Sequence, residues 1–209
     1  MVKLITSVLI FTMLHKRLLS QQNIAGEYSL RGVMEVGSGL QLNKDSTFQF
    51  FFSYGALDRY GSGTWTVHNN MVLLNSKPYP GKDFKLVRST LLPNDFITIS
   101  IEDNNTALYR LVYCRIKTSS GDSILNADEN GVITIPSTIT RIEMLSEICP
   151  ERISTFELDN KKYNTYAFNF EPWIADVFFR SFPLRFEGDH LQGKHPLLDD
   201  REYSFYKEK

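Results

Sequence analysis

Short runs in which apolar and polar residues alternate dominate this chain, and residues that favour turns separate them. Two asparagines, Asn69 and Asn70, stand between the runs 60–68 and 71–74, and asparagine tolerates the positive φ angles of a tight hairpin. A period of two places successive side chains on opposite faces, which is typical of strands with one buried face. No long helical period follows residue 20. The sequence therefore predicts a mostly β protein of antiparallel strands.

Residues 92–95, with the sequence LPND, carry the clearest boundary signal in the chain. About six strands between residues 24 and 90 precede it, and they predict an antiparallel meander or partial barrel in a domain of residues 21–92. The strands that follow predict a β-sandwich-like domain of residues 93–209. The closing strands at 182–207 either complete this second domain or return to the first, which would interlock the two.

Glycine and phenylalanine shape the expected strands of the first domain. The run Gly37-Ser38-Gly39 predicts a turn between a strand at 25–36 and a short strand at 40–42. In the strand at 47–54, alternation leaves Phe51 on a largely polar face and puts the other rings on the expected core face: Phe48, Phe50, Phe52 and Tyr54.

The periodicity changes near Pro172. The apolar residues that follow are spaced for one face of a helix: Trp173, Ile174, Val177 and Phe178. Proline suits the first turn of a helix, where its missing N–H group is not needed. We therefore predict one short helix at about residues 172–180.

The amino terminus has the features of a signal peptide. Lys3 gives a short basic region, and residues 4–14 form an apolar stretch that is too short to span a bilayer. We predict a signal peptide of residues 1–20, with an amphipathic or core helix as the alternative. The mature protein would then be extracytoplasmic, either periplasmic or secreted, with no transmembrane anchor after cleavage.

Charge argues against one class of partner, and the cysteines leave one question open. The formal net charge is −1, and the chain has no basic patch of the kind that binds nucleic acid, so we expect no nucleic-acid partner. Cys114 and Cys149 match no CxxC motif of a metal or redox site. An exported protein could join them in a disulfide, and two buried, reduced thiols are the alternative.

Three segments of the second half form one pattern. They are an alternating run at 97–101 followed by Asp103, a strand through Val112, Cys114 and Ile116, and a DENG turn at 128–131 that leads into the run 132–136. This pattern resembles the carboxypeptidase regulatory-like domain, a transthyretin-like β-sandwich, over roughly residues 95–160. The resemblance implies a scaffold or accessory module and supplies no catalytic residues.

The first half carries a second set of short motifs. They are Gly26-Glu-Tyr28, Leu40-x-Leu42, Asp45-x-Thr47-Phe48 and Gly63-Thr-Trp65. Over about residues 24–90 these motifs are similar to small lipocalin-like or META-like β-domains of exported bacterial proteins. The resemblance implies a similar local topology and does not imply a ligand.

Two polar segments have features that metal sites use. Residues 126–131 place oxygen-bearing side chains at alternate positions before a glycine, like the first half of a calcium loop, but Ser137 stands where such a loop needs a bidentate glutamate. A hairpin turn explains the same residues. Asp189, His190 and His195 fit no established zinc spacing. We therefore predict no metal and no cofactor.

Aromatic rings are the better candidates for contact with a ligand. No Gly-x-Ser-x-Gly motif is present, and no carboxylate has a distinctive setting, so we predict no catalytic residue. Aromatic rings stack on sugars and line apolar pockets. The candidate ligand-binding residues are Phe51, Tyr54, Tyr60, Trp65 and Trp173. The alternative is that these rings only build the core.

We predict a non-catalytic binding or interaction module. Its partner would be a glycan, a small apolar ligand or an envelope protein. One alternative is a glycan-directed hydrolase whose carboxylate pair a single sequence does not reveal, since the two carboxylates meet only in space. Another is a structural subunit of a surface assembly.

Overall fold

The computed structural model describes residues 23–119 and 121–209, so the predicted signal peptide lies outside the described residues. The prediction of a mostly β protein is confirmed. The chain folds into two compact units. Of the described residues, 23–78 and 176–209 form the first, called here the barrel unit, and 79–175 form the second, the sandwich unit.

Sixteen strands carry most of the regular structure of the described residues, and a 3₁₀ helix, Thr106–Leu111, lies between β7 and β8. In chain order the strands are β1 (Gly26–Leu30), β2 (Val36–Leu42), β3 (Thr47–Tyr54), β4 (Leu57–His68), β5 (Met71–Asn75), β6 (Phe84–Thr90), β7 (Phe96–Ile101), β8 (Val112–Thr118), β9 (Gly121–Asn126), β10 (Val132–Pro136), β11 (Arg141–Ser146), β12 (Ser154–Glu157), β13 (Thr165–Phe170), β14 (Phe182–Phe186), β15 (His190–Lys194) and β16 (Glu202–Lys207). Within this part of the chain, no helix has the length and apolar character needed to cross a membrane.

The barrel unit is a closed sheet of eight antiparallel strands in the order β1-β2-β3-β4-β5-β14-β15-β16. β16 closes the sheet by pairing with β1, where Leu30 lies opposite Phe205, and β5 pairs with β14, where Val72 lies opposite Leu184. A meander of β1–β5 alone would leave two strand edges unpaired, and closure removes these edges. The closing strands therefore return to the first domain.

The division of the chain differs from the predicted boundary at residues 92–93. β6, which the prediction placed in the first domain, pairs with β13 of the sandwich unit, and Phe84 lies opposite Phe170. The sandwich unit begins at Tyr79, ends at Ala175 and is inserted between two parts of the barrel chain. The LPND segment is a loop between two strands of one sheet. Turn residues mark loops inside a domain as readily as they mark domain boundaries.

Inward-facing rings fill the barrel. Alternation along β3 buries Phe48, Phe50 and Phe52 as predicted. Gly61 of β4 leaves space beside them, since a Cβ atom there would lie 2.6 Å from the ring of Phe179. Phe179 occupies this space and meets the rings of Phe48 and Phe50 at centroid distances of 5.2 and 5.3 Å. The segment that follows residue 176 thus contributes to the barrel core.

The turn predictions have different outcomes on β2 and between β4 and β5. Asn69 and Asn70 form the predicted tight hairpin, with φ angles of 48° and 62°. The run Gly37-Ser38-Gly39, predicted as a turn, lies inside β2. There Ser38 points inward and is buried, while the ring of Phe51 covers Gly39 on the outside. Glycine in this run therefore serves close packing and does not reverse the chain.

Residues 172–180 do not form the predicted short helix. Residues 172–175 make a turn, in which the Ile174 N–H donates to the Glu171 carbonyl at 3.0 Å. The chain then runs beside β4 of the barrel, where the Val177 N–H donates to the Tyr60 carbonyl at 2.6 Å. Burial of apolar side chains in a turn and in a barrel core has produced the spacing that suggested one helical face.

The sandwich unit contains two four-stranded sheets, with strand orders β10-β7-β13-β6 and β12-β11-β8-β9. All neighbouring strands are antiparallel except β7 and β13, which are parallel. Apolar side chains from both sheets form one core, in which Ile97, Ile99, Val112 and Met144 are completely buried. The predicted alternation of residues 97–101 is therefore the pattern of a strand with one buried face.

The two cysteines lie in the sandwich unit as buried, free thiols. Cys114 is on β8, opposite Met144 of β11, and Cys149 follows β11. Of the two alternatives that the sequence left open, the structure has the pair of reduced thiols.

Candidate functional site

An open cleft of about 440 Å³ lies in the sandwich unit, beside the first residues of β6. Its volume is within the range of small-molecule sites, roughly 300–1,000 Å³. Aromatic rings and a leucine form its walls, and two lysines and a glutamate supply charge. We call it the Trp173 cleft; its lining residues are Pro80, Gly81, Lys82, Phe84, Lys85, Leu86, Phe156, Glu171 and Trp173.

Trp173, one of the predicted ligand-binding residues, forms one wall of this cleft. Its indole N–H donates to the Lys82 carbonyl at 2.9 Å, which ties the turn at 171–174 to the loop before β6. Pro80 and Gly81 belong to that loop. Gly81 has a φ angle of 104°, which residues with a Cβ atom rarely adopt. The loop and the tryptophan therefore hold one another in place.

A buried ion pair of Asp83 and Arg152 contacts the turn that carries Trp173. Arg152 Nε donates to Asp83 Oδ2 at 3.0 Å, and Nη2 lies 2.9 Å from Oδ1. Arg152 Nη2 also donates to the Ile174 carbonyl at 2.7 Å, while the Asp83 N–H donates to Ser154 Oγ at 2.7 Å. The Tyr79 hydroxyl donates to Asp83 Oδ2 at 2.7 Å. One charged pair thus joins the loop before β6, the start of β12 and the turn at 171–174.

The protonation and pairing of these side chains fit a structural role. Burial, together with the hydrogen bond to Asp83, raises the pKa of Tyr79, so its phenol stays protonated. Burial raises the pKa of the nearby Cys149 thiol to about 12, and a protonated thiol is a poor nucleophile. The Asp83 carboxylate forms an ion pair with Arg152, and Asp83 is 1% exposed. Glu171 is the one carboxylate among the lining residues of the cleft.

The rim of the cleft carries positive charge. Lys82 Nζ lies 4.2 Å from the centre of the Phe156 ring, a cation–π contact, and Lys85 is exposed. No carboxylate of the described residues forms an ion pair with either lysine. The cleft can therefore hold an apolar group against its rings and an anionic group near the lysines.

A second cleft, of about 320 Å³, lies on the other sheet of the sandwich unit and is lined mainly by charged side chains. Arg115 Nε donates to Glu143 Oε2 at 2.6 Å, and Arg141 Nη2 lies 3.6 Å from Glu143 Oε1. Its lining contains one apolar side chain, Ile116, and no aromatic ring, so this cleft offers an apolar ligand less contact surface than the Trp173 cleft does.

Three predicted ligand-binding residues of the barrel unit are exposed. Phe51, Tyr54 and Tyr60 are 43%, 52% and 56% exposed. Phe51 on β3 stands directly opposite Tyr60 on β4, whereas Tyr54 pairs with Leu57 where β3 ends. Tyr54 was expected in the core, but it is the last residue of β3 and is exposed at the end of the strand. Phe51 and Tyr60 form an exposed cross-strand pair of rings.

Trp65 has a different position from the other candidates. It is 0% exposed inside the barrel, and its indole N–H donates to the Asn43 carbonyl at 3.0 Å. The core interpretation therefore applies to Trp65, and a ligand outside the barrel does not reach it. Of the five candidates, the structure brings Phe51 and Tyr60 together and places Trp173 alone in a cleft.

The segments with metal-like spacing have other roles. Asp128 Oδ1 accepts the N–H groups of Asn130 and Val132 at 2.9 and 2.8 Å, as the side chain of a tight turn does. His195 is buried inside the barrel, whereas His190 stacks on Tyr206. Within residues 23–119 and 121–209, no three His, Cys, Asp or Glu side chains form a group that could hold a metal ion.

Sequence reasoning missed Asp83 and Arg152, which position the cleft. The two residues are far apart in the chain, and each stands beside a strand in an ordinary polar setting. No local pattern distinguishes them from the other charged residues, since their partnership exists only in the folded unit.

No family model matches this chain, and no curated protein or solved structure matches it. The two family resemblances drawn from the sequence therefore stay predictions.

Proposed function

We propose that the protein is a non-catalytic, extracytoplasmic binding module that holds its ligand in the Trp173 cleft. The observation that carries this proposal is the combination of aromatic walls and unpaired positive charge in one open cleft. Aromatic rings offer large rigid contact surfaces, and lysines attract anionic groups. The expected ligand is an apolar group that carries negative charge. A small apolar ligand or an envelope protein fits this chemistry better than a neutral glycan.

The sequence supports the extracytoplasmic location and the non-catalytic role. The apolar stretch at residues 4–14 has the length of a signal peptide core. The resemblance of residues 24–90 to β-domains of exported bacterial proteins, and of residues 95–160 to a carboxypeptidase regulatory-like accessory domain, points to the same class of protein.

NMR spectra of the full chain test the cleft through the indole N–H groups of its two tryptophans. Trp65 is buried in the barrel and Trp173 lines the cleft, so we expect separate signals. Anilinonaphthalene sulfonate, an aromatic ring system with one negative charge, should shift the Trp173 signal saturably and leave the Trp65 signal unchanged. Replacing both Lys82 and Lys85 by glutamine should weaken binding about five- to tenfold at low salt.

Trp173→Ala serves as the control that assigns the signal. A dye that binds this variant as tightly as the wild type, or that shifts the Trp65 signal instead, would place the ligand elsewhere and contradict the proposal. Incubation with oligosaccharides tests the hydrolase alternative. Release of reducing ends that Glu171→Gln abolishes would show catalysis in the cleft, and the module would then be an enzyme.

A further inference from the structure

β6 is an edge strand of its sheet. It pairs with β13 on one side, and no strand of the described residues pairs with its other side. The residues from Lys85 to Arg88 are all exposed. Backbone N–H and C=O groups that point away from β13 are therefore available to an added strand.

The free edge of β6 runs into the Trp173 cleft. Phe84, Lys85 and Leu86 all line the cleft. Leu86 lies opposite Phe168 in the register, on the core face of the sheet, and is 42% exposed. It therefore adds an exposed apolar surface to the lining of the cleft. A strand added along β6 would point every second side chain towards this surface, because side chains alternate between the two faces.

The other edges of the sandwich unit are better protected against strand addition. β10 ends in Pro136, which has no N–H to donate, and β12 has only four residues. β9 exposes one large aliphatic side chain, Ile124. β6 exposes two in succession, Leu86 at 42% and Val87 at 44%. Among the described edges, β6 is the one that combines two exposed aliphatic residues with a cleft lined by aromatic side chains.

Charge selects the kind of strand that fits. Arg88 pairs with Glu102, but Lys82 and Lys85 have no carboxylate partner among the described residues. In the antiparallel register that places Leu86 opposite Val87 of a second copy, Lys85 would also lie opposite Arg88, and like charges directly opposite are destabilising. An acidic partner strand would instead complement the lysines.

We propose that β6 accepts an extended, acidic segment of a partner protein as an added strand, with alternate apolar side chains in the Trp173 cleft and carboxylates near Lys82 and Lys85. This proposal rests on the proposed binding function and names the partner of the same site. Strand addition derives affinity from main-chain hydrogen bonds and specificity from alternate side chains.

A synthetic peptide with the sequence EVDLEVDF, blocked at both ends, probes the full-length chain. We expect it to shift the backbone amide signals of β6 together with the Trp173 indole signal, and to slow hydrogen exchange of β6 amides. Leu86→Glu should weaken binding about tenfold or more, because it places a charged carboxylate against the apolar side chains of the peptide. Added salt should weaken binding as well.

Two controls separate strand addition from general attraction. Ile124→Glu makes the same change at an exposed aliphatic residue of the β9 edge, and it should leave the peptide affinity unchanged. N-methylation of alternate peptide residues removes the N–H groups from one edge of the peptide. We expect one methylated form to lose binding and the other to keep it, since only one edge of an added strand faces β6.

The outcomes distinguish this inference from the proposed function. If the dye shifts the Trp173 signal but the peptide at millimolar concentration does not bind, or binds without moving the β6 amides, strand addition is overturned and the binding cleft stands. If neither probe moves the Trp173 signal, both proposals fail. Equal losses with Leu86→Glu and Ile124→Glu, in variants whose spectra remain those of folded protein, would also overturn the inference.

Discussion

Phe51 lies on the outer face of the barrel, across the glycines of β2. A Cβ atom at Gly39 would lie 2.6 Å from the Phe51 ring, and one at Gly37 would lie 3.9 Å from it. The ring therefore covers main chain that glycine leaves open, and it loses part of its own contact with water. This packing gives a structural reason for a large ring on the largely polar face of β3.

His195 is held inside the barrel as a neutral imidazole. Its ring stacks on Phe205 at a centroid distance of 5.8 Å, and its Nδ1 accepts the Leu197 N–H at 3.1 Å. Its Nε2 lies 3.0 Å from Ser38 Oγ. Because the Ser38 hydroxyl already donates to the Phe51 carbonyl, Nε2 carries the proton and donates to Oγ. Burial lowers the pKa of His195 from 6.5 to about 4.

This depressed pKa predicts that the barrel loses stability in mild acid. In the unfolded chain His195 takes up a proton near pH 6.5, whereas in the barrel it stays neutral down to about pH 4. The unfolded state therefore binds more protons between these values, and protonation favours unfolding. Urea titrations should show the free energy of unfolding falling by up to about 3 kcal/mol between pH 7 and pH 4 and levelling off below.

Variants identify the source of this pH dependence. His195→Gln should flatten the slope, since glutamine does not titrate. Hydrogen bonds from Arg201 and Tyr203 lower the pKa of Asp199 from 3.8 to about 2, so its contribution is lost only as the pH falls through that lower range. Measurements above pH 4.5 therefore isolate His195. An unchanged slope in His195→Gln would assign the effect to another group.

At the scale of elements, the ion pair of Asp83 and Arg152 connects the loop before β6 with the segment before β12, and these two strands belong to different sheets. Asp83 Oδ1 receives no well-aligned hydrogen bond. The Arg152 guanidinium group therefore stabilises this oxygen chiefly by balancing its negative charge. Arg152 also binds the carbonyl of Ile174 in the turn that carries Trp173. The ion pair therefore positions the turn as well as stabilising the sandwich unit.

Arg152→Ala should lower the free energy of unfolding by about 3–5 kcal/mol, because it leaves the Asp83 carboxylate buried without a counter-charge. Chemical denaturation measures this loss. The double variant Arg152→Met with Asp83→Leu should recover much of it, since apolar groups can replace a buried ion pair at little cost. Arg141→Ala removes an exposed partner of Glu157 and should cost no more than about 1 kcal/mol. Similar losses in Arg152→Ala and Arg141→Ala would contradict a special role for the buried pair.

The elements that the sequence predicted well are those that local pattern determines. Alternation located β3, and the two asparagines located the hairpin between β4 and β5. The run at Gly37 and the segment at 172–180 were predicted differently from the structure, because their conformation depends on distant partners. Phe51 lies over Gly39, and β4 binds the chain at Val177. Such contacts leave no local mark in the sequence.

At the scale of the whole molecule, barrel closure depends on residues that are far apart in the chain. Leu30 meets Phe205, and Val72 meets Leu184. An alternating strand at 202–207 fits either unit, so the sequence predicted the closing strands and left their partners open. The Trp173 cleft likewise needs β6, β12 and the turn at 171–174 together, and only Trp173 could be selected as a candidate from residue type alone.

The insertion of the sandwich unit predicts that the barrel folds without it. Ser76 N–H donates to the Phe179 carbonyl at 2.8 Å, so the two barrel segments meet through the barrel's own hydrogen bonds. A chain in which a short Gly-Ser linker replaces residues 79–175 keeps every barrel strand pair. It should unfold cooperatively on heating and retain the Trp65 indole signal of the full protein. Deleting residues 182–209 from this chain should abolish both properties, because β1 and β5 would become open edges. A linker chain that stays unfolded would show that the barrel requires the inserted unit.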